Sequence, residues 1–547
     1  MSSATERAES SQESTEGEKL EDNVDGMFAP ITARNSSYEE RLRRHHSASS
    51  HPLERNWSLN DGYSIQNADE EAVAERVLSN KDEEVSDASE GFVVSWDDND
   101  RMNPRNFNTV RRWLIVIICS AGSLCVTCTS SMYTVTYDQI MEEFGCSREV
   151  ATLGLSFFIW GLAVGPLLRI YICSFTLFLV WLIPCAVAKN IQTMIVCRFL
   201  NGIAGSAFLS VAGGTVGDLF ARHELSAPMM LYTSSPFIGP EVGPLVGGFI
   251  NQFTTWRWTF YVLLIWTGVL LVLIGFFVPE TYHPVLLRRK AQQLRKETGD
   301  DRWIAPIEMM DRSVAQTVLR SIYRPLLLLT LEPMCLNLCI FSAILLGILY
   351  LFFGAFQLVF ESVYGFELWQ RGLCFLGLFV GMLFAIFSDP FWRRNYTRLE
   401  LKHQEAVGRS DDFQPEWRLP PAIAGGPLVT IGLFIFAWTI YPQVHWIAPL
   451  IGSALFGAGT ILVYSGIFTF LVDAYPTYAA SALAANSFAR SIFGGVFPLF
   501  GIQMYNNLGY HWATSLLAFL TLVMAPFPYI FFRYGNRIRQ KSRFAAR

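Results

Sequence analysis

Ser235-Pro236-Phe237-Ile238-Gly239-Pro240-Glu241-Val242-Gly243-Pro244-Leu245-Val246-Gly247-Gly248 lies inside an apolar segment long enough to cross a bilayer. Gly239, Gly243 and Gly247 recur every four residues and therefore share one face of a helix, with Pro236, Pro240 and Pro244 forming a second row beside them. Small residues let a neighbouring helix come close. The prolines remove backbone donors and bend the helix, which a membrane helix tolerates where its neighbours re-satisfy the freed carbonyls. Tight packing alone accounts for an isolated G-x-x-x-G. This row of glycines, flanked by prolines and holding Glu241 in an apolar run, defines a bent membrane helix that carries an acid.

The surroundings repeat the apolar character. Of 547 residues, 51% are hydrophobic, 14% aromatic and only 16% charged, which excludes an ordinary set of soluble domains. Apolar runs of about 20 residues, the length that crosses the hydrocarbon core, recur at 113–136, 148–168, 170–188, 193–219, 226–250, 256–278, 334–358, 371–388, 420–441, 444–470, 480–503 and 511–532. The expectation is an all-α membrane protein of twelve transmembrane helices in two six-helix lobes. Its parts are a disordered acidic cytosolic tail (1–110), an N-terminal lobe (111–278), a basic cytosolic linker (279–330), a C-terminal lobe (331–533) and a basic cytosolic C-terminus (534–547). Paired repeats with a site between them are a common basis for alternating access.

The net charge of -5 conceals a division, because residues 1–100 carry 24 Asp and Glu against 9 Lys and Arg. That segment is rich in Ser, Glu and Asp and lacks an apolar run, so it reads as disordered, with no cleavable signal peptide ahead of the first span. His45, His46 and His51 in this polar tail do not make a metal site, and Arg43-Arg44 ahead of Ser47 is a weak basophilic kinase pattern. Lys and Arg crowd three segments on one side: Arg288 to Arg324, Arg393 to Arg418, and Arg533 to Arg547. The other side shows Arg148, Lys189, Arg257 and Arg371. The positive-inside rule then places both termini in the cytosol and predicts that the sequon Asn395-Tyr396-Thr397 is unglycosylated. All of the 10 cysteines except Cys146 fall within spans, so no disulfide framework is implied. The stretch 279–298 reads equally as an amphipathic helix on the inner membrane surface or as a solvated loop.

Charged residues inside the spans are the candidates for function, since a charge in the apolar region costs at least about 3 kcal/mol on insertion scales. Glu241 is the leading proton site, because a buried carboxyl can gain and lose a proton as a cavity faces one side and then the other; the alternative is a structural bridge. Arg198, in the outer half of the fourth span, needs a partner or else snorkels to the interface. Asp138, Asp218, Asp389 and Asp473 fall at span ends, as caps or hinges. Asn201, Tyr232, Phe237, Tyr350, Phe353, Asn486 and Arg490 are possible cavity residues, and an aromatic, weakly charged cavity suits hydrophobic or weakly cationic small molecules. There is no G-x-x-x-x-G-K-S/T loop, metal cluster or nucleophile-base arrangement, so neither an ATP-driven pump nor a membrane enzyme is expected. No cofactor and no nucleic-acid partner are expected, and the chain is read as a monomer.

The segments from 92 to 545 resemble the major facilitator superfamily, and within it the fungal twelve-span drug:proton antiporters of the multidrug and polyamine branch. Gly239-x-x-x-Gly243-Pro244-x-x-Gly247-Gly248 is similar to the antiporter motif of the fifth span, and Arg198-x-x-Asn201-Gly202 to the fourth-span motif, with Asn where Gln is usual. Trp96 with Asn103-Pro104, the Pro279–Lys290 linker, and Arg490-Ser491-Ile492-Phe493-Gly494-Gly495 with Pro498-Leu499-Phe500 resemble the same branch. The resemblance implies a plasma-membrane exporter of drugs, including azoles, cycloheximide or polyamines, driven by proton entry, with Arg198 in proton coupling. The alternative is a polyamine or secondary-metabolite carrier. One departure matters: the family's G-x-L-S/A-D/E-x-x-G-R-R loop between spans two and three is reduced to Gly165-Pro166-Leu167-Leu168-Arg169-Ile170, as by a local deletion. Without its acid and paired arginines, an impaired transporter or a non-transporting sensor is a further alternative.

Overall fold

A backbone in lipid must bond to itself, so apolar runs of this length become helices. The computed structural model describes residues 93–96, 100–164, 171–220, 224, 226–309, 314–407, 414–540, 542 and 544–545. The acidic tail up to residue 92, the Ser47 pattern and the shortened connection 165–170 lie outside the described residues. The N-terminal lobe holds α1 (Thr109–Met132), α2 (Tyr137–Phe144), α3 (Arg148–Val164), α4 (Tyr171–Ala186), α5 (Ile191–Leu219), α6 (Ser226–Phe253) and α7 (Trp256–Phe277). Two linker helices follow, α8 (His283–Thr298) and α9 (Val314–Leu331). The C-terminal lobe holds α10 (Pro333–Tyr364), α11 (Leu368–Leu373), α12 (Leu376–Phe387), α13 (Asp389–Val407), α14 (Pro420–Thr439), α15 (Ile447–Ala474), α16 (Ala479–Leu508), α17 (Tyr510–Met524) and α18 (Pro526–Arg539). The architecture is an all-helical membrane fold of twelve spans in two lobes.

Among the described residues, seven helical stretches are apolar and long enough to span on those grounds alone. Of the others, α3 stops at the edge of the described residues, α4 is short, and α5, α6 and α16 carry Arg198, Asn201, Asn486, Arg490 or prolines. Large apolar side chains on α7 (Ile265, Val269, Val272, Phe276) and α12 (Phe384) face outward as a lipid-facing surface, whereas α1 and α10 are buried along most of their length. Gly145 and Gly365 end α2 and α10 in the left-handed region, at φ 60° and 66°.

The glycine row of α6 packs on α1. A Cβ on Gly239 would overlap the Thr127 hydroxyl, one on Gly243 the Ser131 hydroxyl, and one on Gly247 would lie 2.7 Å from Val135 Cγ2. Both helices therefore advance four residues per contact. The helix continues unbroken past Pro236, Pro240 and Pro244, and the Cys128 thiol donates to the Gly239 carbonyl at 3.0 Å. The same helix meets the other lobe at its far end, where Gly248 faces the Leu368 carbonyl and Gly372 faces the Pro244 carbonyl. The second seam joins α3 to α16, where Ser156 Oγ donates to the Gly495 carbonyl at 2.6 Å and Trp160 lies against Gly495. Gln503 Nε2 donates to Glu149 Oε1 at 3.0 Å and Gln252 Oε1 accepts from the Leu368 amide at 3.1 Å, so the lobes touch on the face opposite the linker.

On the linker face, 283–298 forms the helix α8, so the loop alternative does not hold for this stretch. Leu287, Ala291 and Leu294 of α8 pack against Val94, Ala305 and Trp303. The Val94 amide donates to the Ile304 carbonyl at 3.0 Å, and Lys290 Nζ reaches the Ser95 carbonyl at 3.0 Å and the Asp100 carboxylate at 2.7 Å. The segment before the first span is thereby clamped to the linker. The segment between spans eight and nine, expected as a loop, forms α13, started by Asp389, which pairs with Arg393 at 2.6 Å. Arg418 pairs with Asp473 at 2.7 Å, and Arg539 binds Glu416 through two hydrogen bonds of 2.8 and 2.9 Å.

Candidate functional site

A cavity of about 100 Å³ lies between the lobes. Its wall combines Thr127 of α1, Ile159 and Leu162 of α3, Ser206 and Leu209 of α5, and Pro236, Phe237 and Pro240 of α6 with Leu346, Leu349 and Tyr350 of α10 and Arg490 and Ser491 of α16. The wall is largely aliphatic, and no acidic residue is among those lining it. Phe237 also meets Tyr464 across the seam, with ring centroids 5.4 Å apart. The structure thus places Phe237, Tyr350 and Arg490 on this wall. Among described residues, Arg490 lies over the rings of Tyr464 and Phe468, at 5.4 and 4.8 Å.

Glu241 follows Pro240 directly and is 1% exposed. Neither carboxyl oxygen has a hydrogen-bond partner, and it forms no ion pair among the described residues. Arg198, also 1% exposed, does not snorkel. Its Nε donates to the Gly154 carbonyl at 2.8 Å and its Nη2 to the Thr129 and Ser130 carbonyls at 3.2 and 3.4 Å. The guanidinium lies 4.1 Å above the Tyr133 ring and 5.0 Å from that of Phe158. Backbone carbonyls and aromatic faces supply what a carboxylate would otherwise supply. The partner needed by Arg198 is therefore spread over α1 and α3.

A chain of contacts leads from this arginine to the cavity. The Ser130 hydroxyl, whose own backbone carbonyl Arg198 holds, lies 3.2 Å from the Tyr350 hydroxyl on the other lobe. Glu241, Arg198 and Arg490 all lie within electrostatic reach of that tyrosine. Sequence reasoning did not single out Ser130 or Thr127; the signal available was the hydroxyl-rich run Thr127-Cys128-Thr129-Ser130-Ser131, whose hydroxyls bond back to their own helix.

Other candidates are placed elsewhere. Asn201 Nδ2 donates to the Phe178 carbonyl at 2.6 Å, tying α5 to α4, and Tyr232 donates to the Leu209 carbonyl at 2.7 Å, tying α6 to α5. Phe353 stacks with Phe375 at 5.3 Å inside the C-terminal lobe. Asn486 is buried on α16 with its Oδ1 unpartnered. None of these four is among the residues lining the cavity described above, since residue type alone does not say how a helix is rotated about its axis.

Two six-helix lobes, facing each other across a cavity with buried charges, make the arrangement of a membrane transporter. The profile of the Major Facilitator Superfamily matches residues 119–498, and the chain belongs to that superfamily. It is 58% identical over 455 residues to efflux pump atB of Aspergillus terreus, covering 83% of this chain and 90% of that protein. It is 41% identical to the probable drug/proton antiporter YHK8 of Saccharomyces cerevisiae, covering 81% of this chain and 87% of that one. The multidrug transporter mdrA of Aspergillus fumigatus is 38% identical, with 83% and 76% covered. Among solved structures, the inward open xylose transporter XylE from E. coli superposes with a TM-score of 0.55 at 14% identity, covering 76% of this chain and 95% of that one. That likeness concerns the fold. The chain is a membrane transporter of that superfamily and not an enzyme.

Proposed function

We propose that this transporter exports hydrophobic small molecules, azole antifungals among them, in exchange for protons at the plasma membrane. The observation that carries the reading is Glu241: a carboxyl adjoining the cavity wall, shut off from solvent, with no cation or donor bound to it. Such a group exchanges a proton only when the cavity opens. The proton gradient is the energy source, no cofactor takes part, and the chain works as a monomer. A linker face rich in Lys and Arg supports cytosolic termini. The relatives named as efflux pump and drug/proton antiporter support the same direction of transport. A polyamine cargo is disfavoured, because the cavity wall offers Arg490 and no acidic side chain.

Expression of the chain in a pump-deficient fungal strain tests this. Cells should accumulate less fluconazole than the empty strain, and a protonophore should restore accumulation. Export that persists undiminished under the protonophore would exclude proton coupling.

A further inference from the structure

Ser542, Phe544 and Ala545, which follow α18, lie on the linker face and close a small polar clasp. Glu332, at the corner between α9 and α10, is 5% exposed. One of its oxygens accepts from the Tyr475 hydroxyl at 3.3 Å, at the end of α15, and the other from Ser542 Oγ at 2.7 Å. The Ser542 hydroxyl in turn accepts the backbone amides of Phe544 and Ala545, at 3.1 and 2.9 Å. The Phe544 ring meets Tyr478 edge-on at 5.3 Å. One serine hydroxyl thus holds the end of the chain against the corner that starts the C-terminal lobe.

The sequence leading to this serine is Arg537-Ile538-Arg539-Gln540-Lys541-Ser542. Arginines five and three positions ahead of a serine form the pattern that basophilic protein kinases read, each guanidinium meeting acidic groups of the kinase. We propose that Ser542 is a phosphorylation site and that its modification opens the clasp. The γ-phosphoryl group of ATP passes to Ser542 Oγ, the bond to the ADP oxygen breaks, and the serine proton is released. Two physical consequences follow. The donor proton that bound Glu332 is gone, and a group of nearly two negative charges stands against a buried carboxylate. Arg539, held twice by Glu416, offers the phosphate no partner while α18 stays formed, and a kinase reads it when the end of that helix frays. The phosphorylated segment therefore leaves Glu332, and Phe544 leaves Tyr478 with it. In the cell this requires the cytosolic C-terminus of the proposed orientation; the chemistry itself does not depend on export.

The test uses the full-length protein in detergent, treated with the catalytic subunit of cAMP-dependent protein kinase and magnesium ATP. Mass spectrometry should place phosphate on Ser542, and the Ser542→Ala variant should lack it. Cleavage by chymotrypsin after Phe544, which reports release of its ring from Tyr478, should then become about tenfold faster in the phosphorylated protein. Glu332→Gln, which removes the opposing charge, should keep slow cleavage after phosphorylation. Absence of phosphate from Ser542, unchanged cleavage once it is present, or equally fast cleavage in phosphorylated Glu332→Gln would each overturn the proposal. None of these readouts involves transport, so failure of the export assay leaves them standing.

Discussion

Glu241→Gln is expected to reduce protonophore-sensitive export by about tenfold or more, equivalent to at least about 1.4 kcal/mol at the limiting step, while the amount of protein at the cell surface stays the same. The reason lies in what surrounds the side chain. Both oxygens are buried without a bonding partner. An amide of the same shape fits the site and breaks no ion pair, so folding tolerates it. What is lost is the ability to carry a proton. Efflux measured per surface molecule is the readout, and efflux at the parent level would remove Glu241 from the mechanism.

Arg198→Lys is the second large effect, although it conserves charge. The arginine reaches Gly154 on α3 and Thr129 and Ser130 on α1 at once, and lies over the Tyr133 ring at 4.1 Å. A lysine ammonium is a single point on a flexible stem and cannot hold that fork. Hydrogen bonds to charged groups contribute roughly 1.5–3 kcal/mol each, so the detergent-purified variant should melt at a lower temperature. Export should fall as well, because Ser130 is the residue that meets Tyr350 across the seam. A lower melting temperature with full proton-sensitive export per surface molecule would make Arg198 purely structural.

The glycine row was legible in the sequence because a period of four on a helix leaves little choice of face, and α1 does fill that face. Arg198 was legible as a residue in need of partners. The partners were not, since backbone carbonyls leave no trace in a pattern of side chains. Thr127, Ser206 and Ser491 line the cavity without standing out in the sequence, because small hydroxyl residues serve packing and a cavity wall alike. The reverse holds for Asn201, Tyr232 and Phe353, whose polarity or aromaticity suggested a cavity and whose contacts are within a lobe. Helix α13 was hidden by its charge: Arg393, Arg394, Arg398 and Lys402 make the stretch look like a solvated loop, although it carries neither an internal proline nor a glycine between Phe391 and Val407. The clamp of Val94 and Trp96 on the linker joins segments about two hundred positions apart, and no local pattern announces it.

The most direct measurement of the central claim is proton movement in proteoliposomes containing only the purified protein, with a pH dye trapped inside and fluconazole loaded on one side. Exchange predicts that drug moving down its gradient drives protons the other way, so that the interior pH shifts with drug flux and the shift vanishes in Glu241→Gln. Drug flux with no accompanying pH change, or a shift that Glu241→Gln retains in full, would contradict the account.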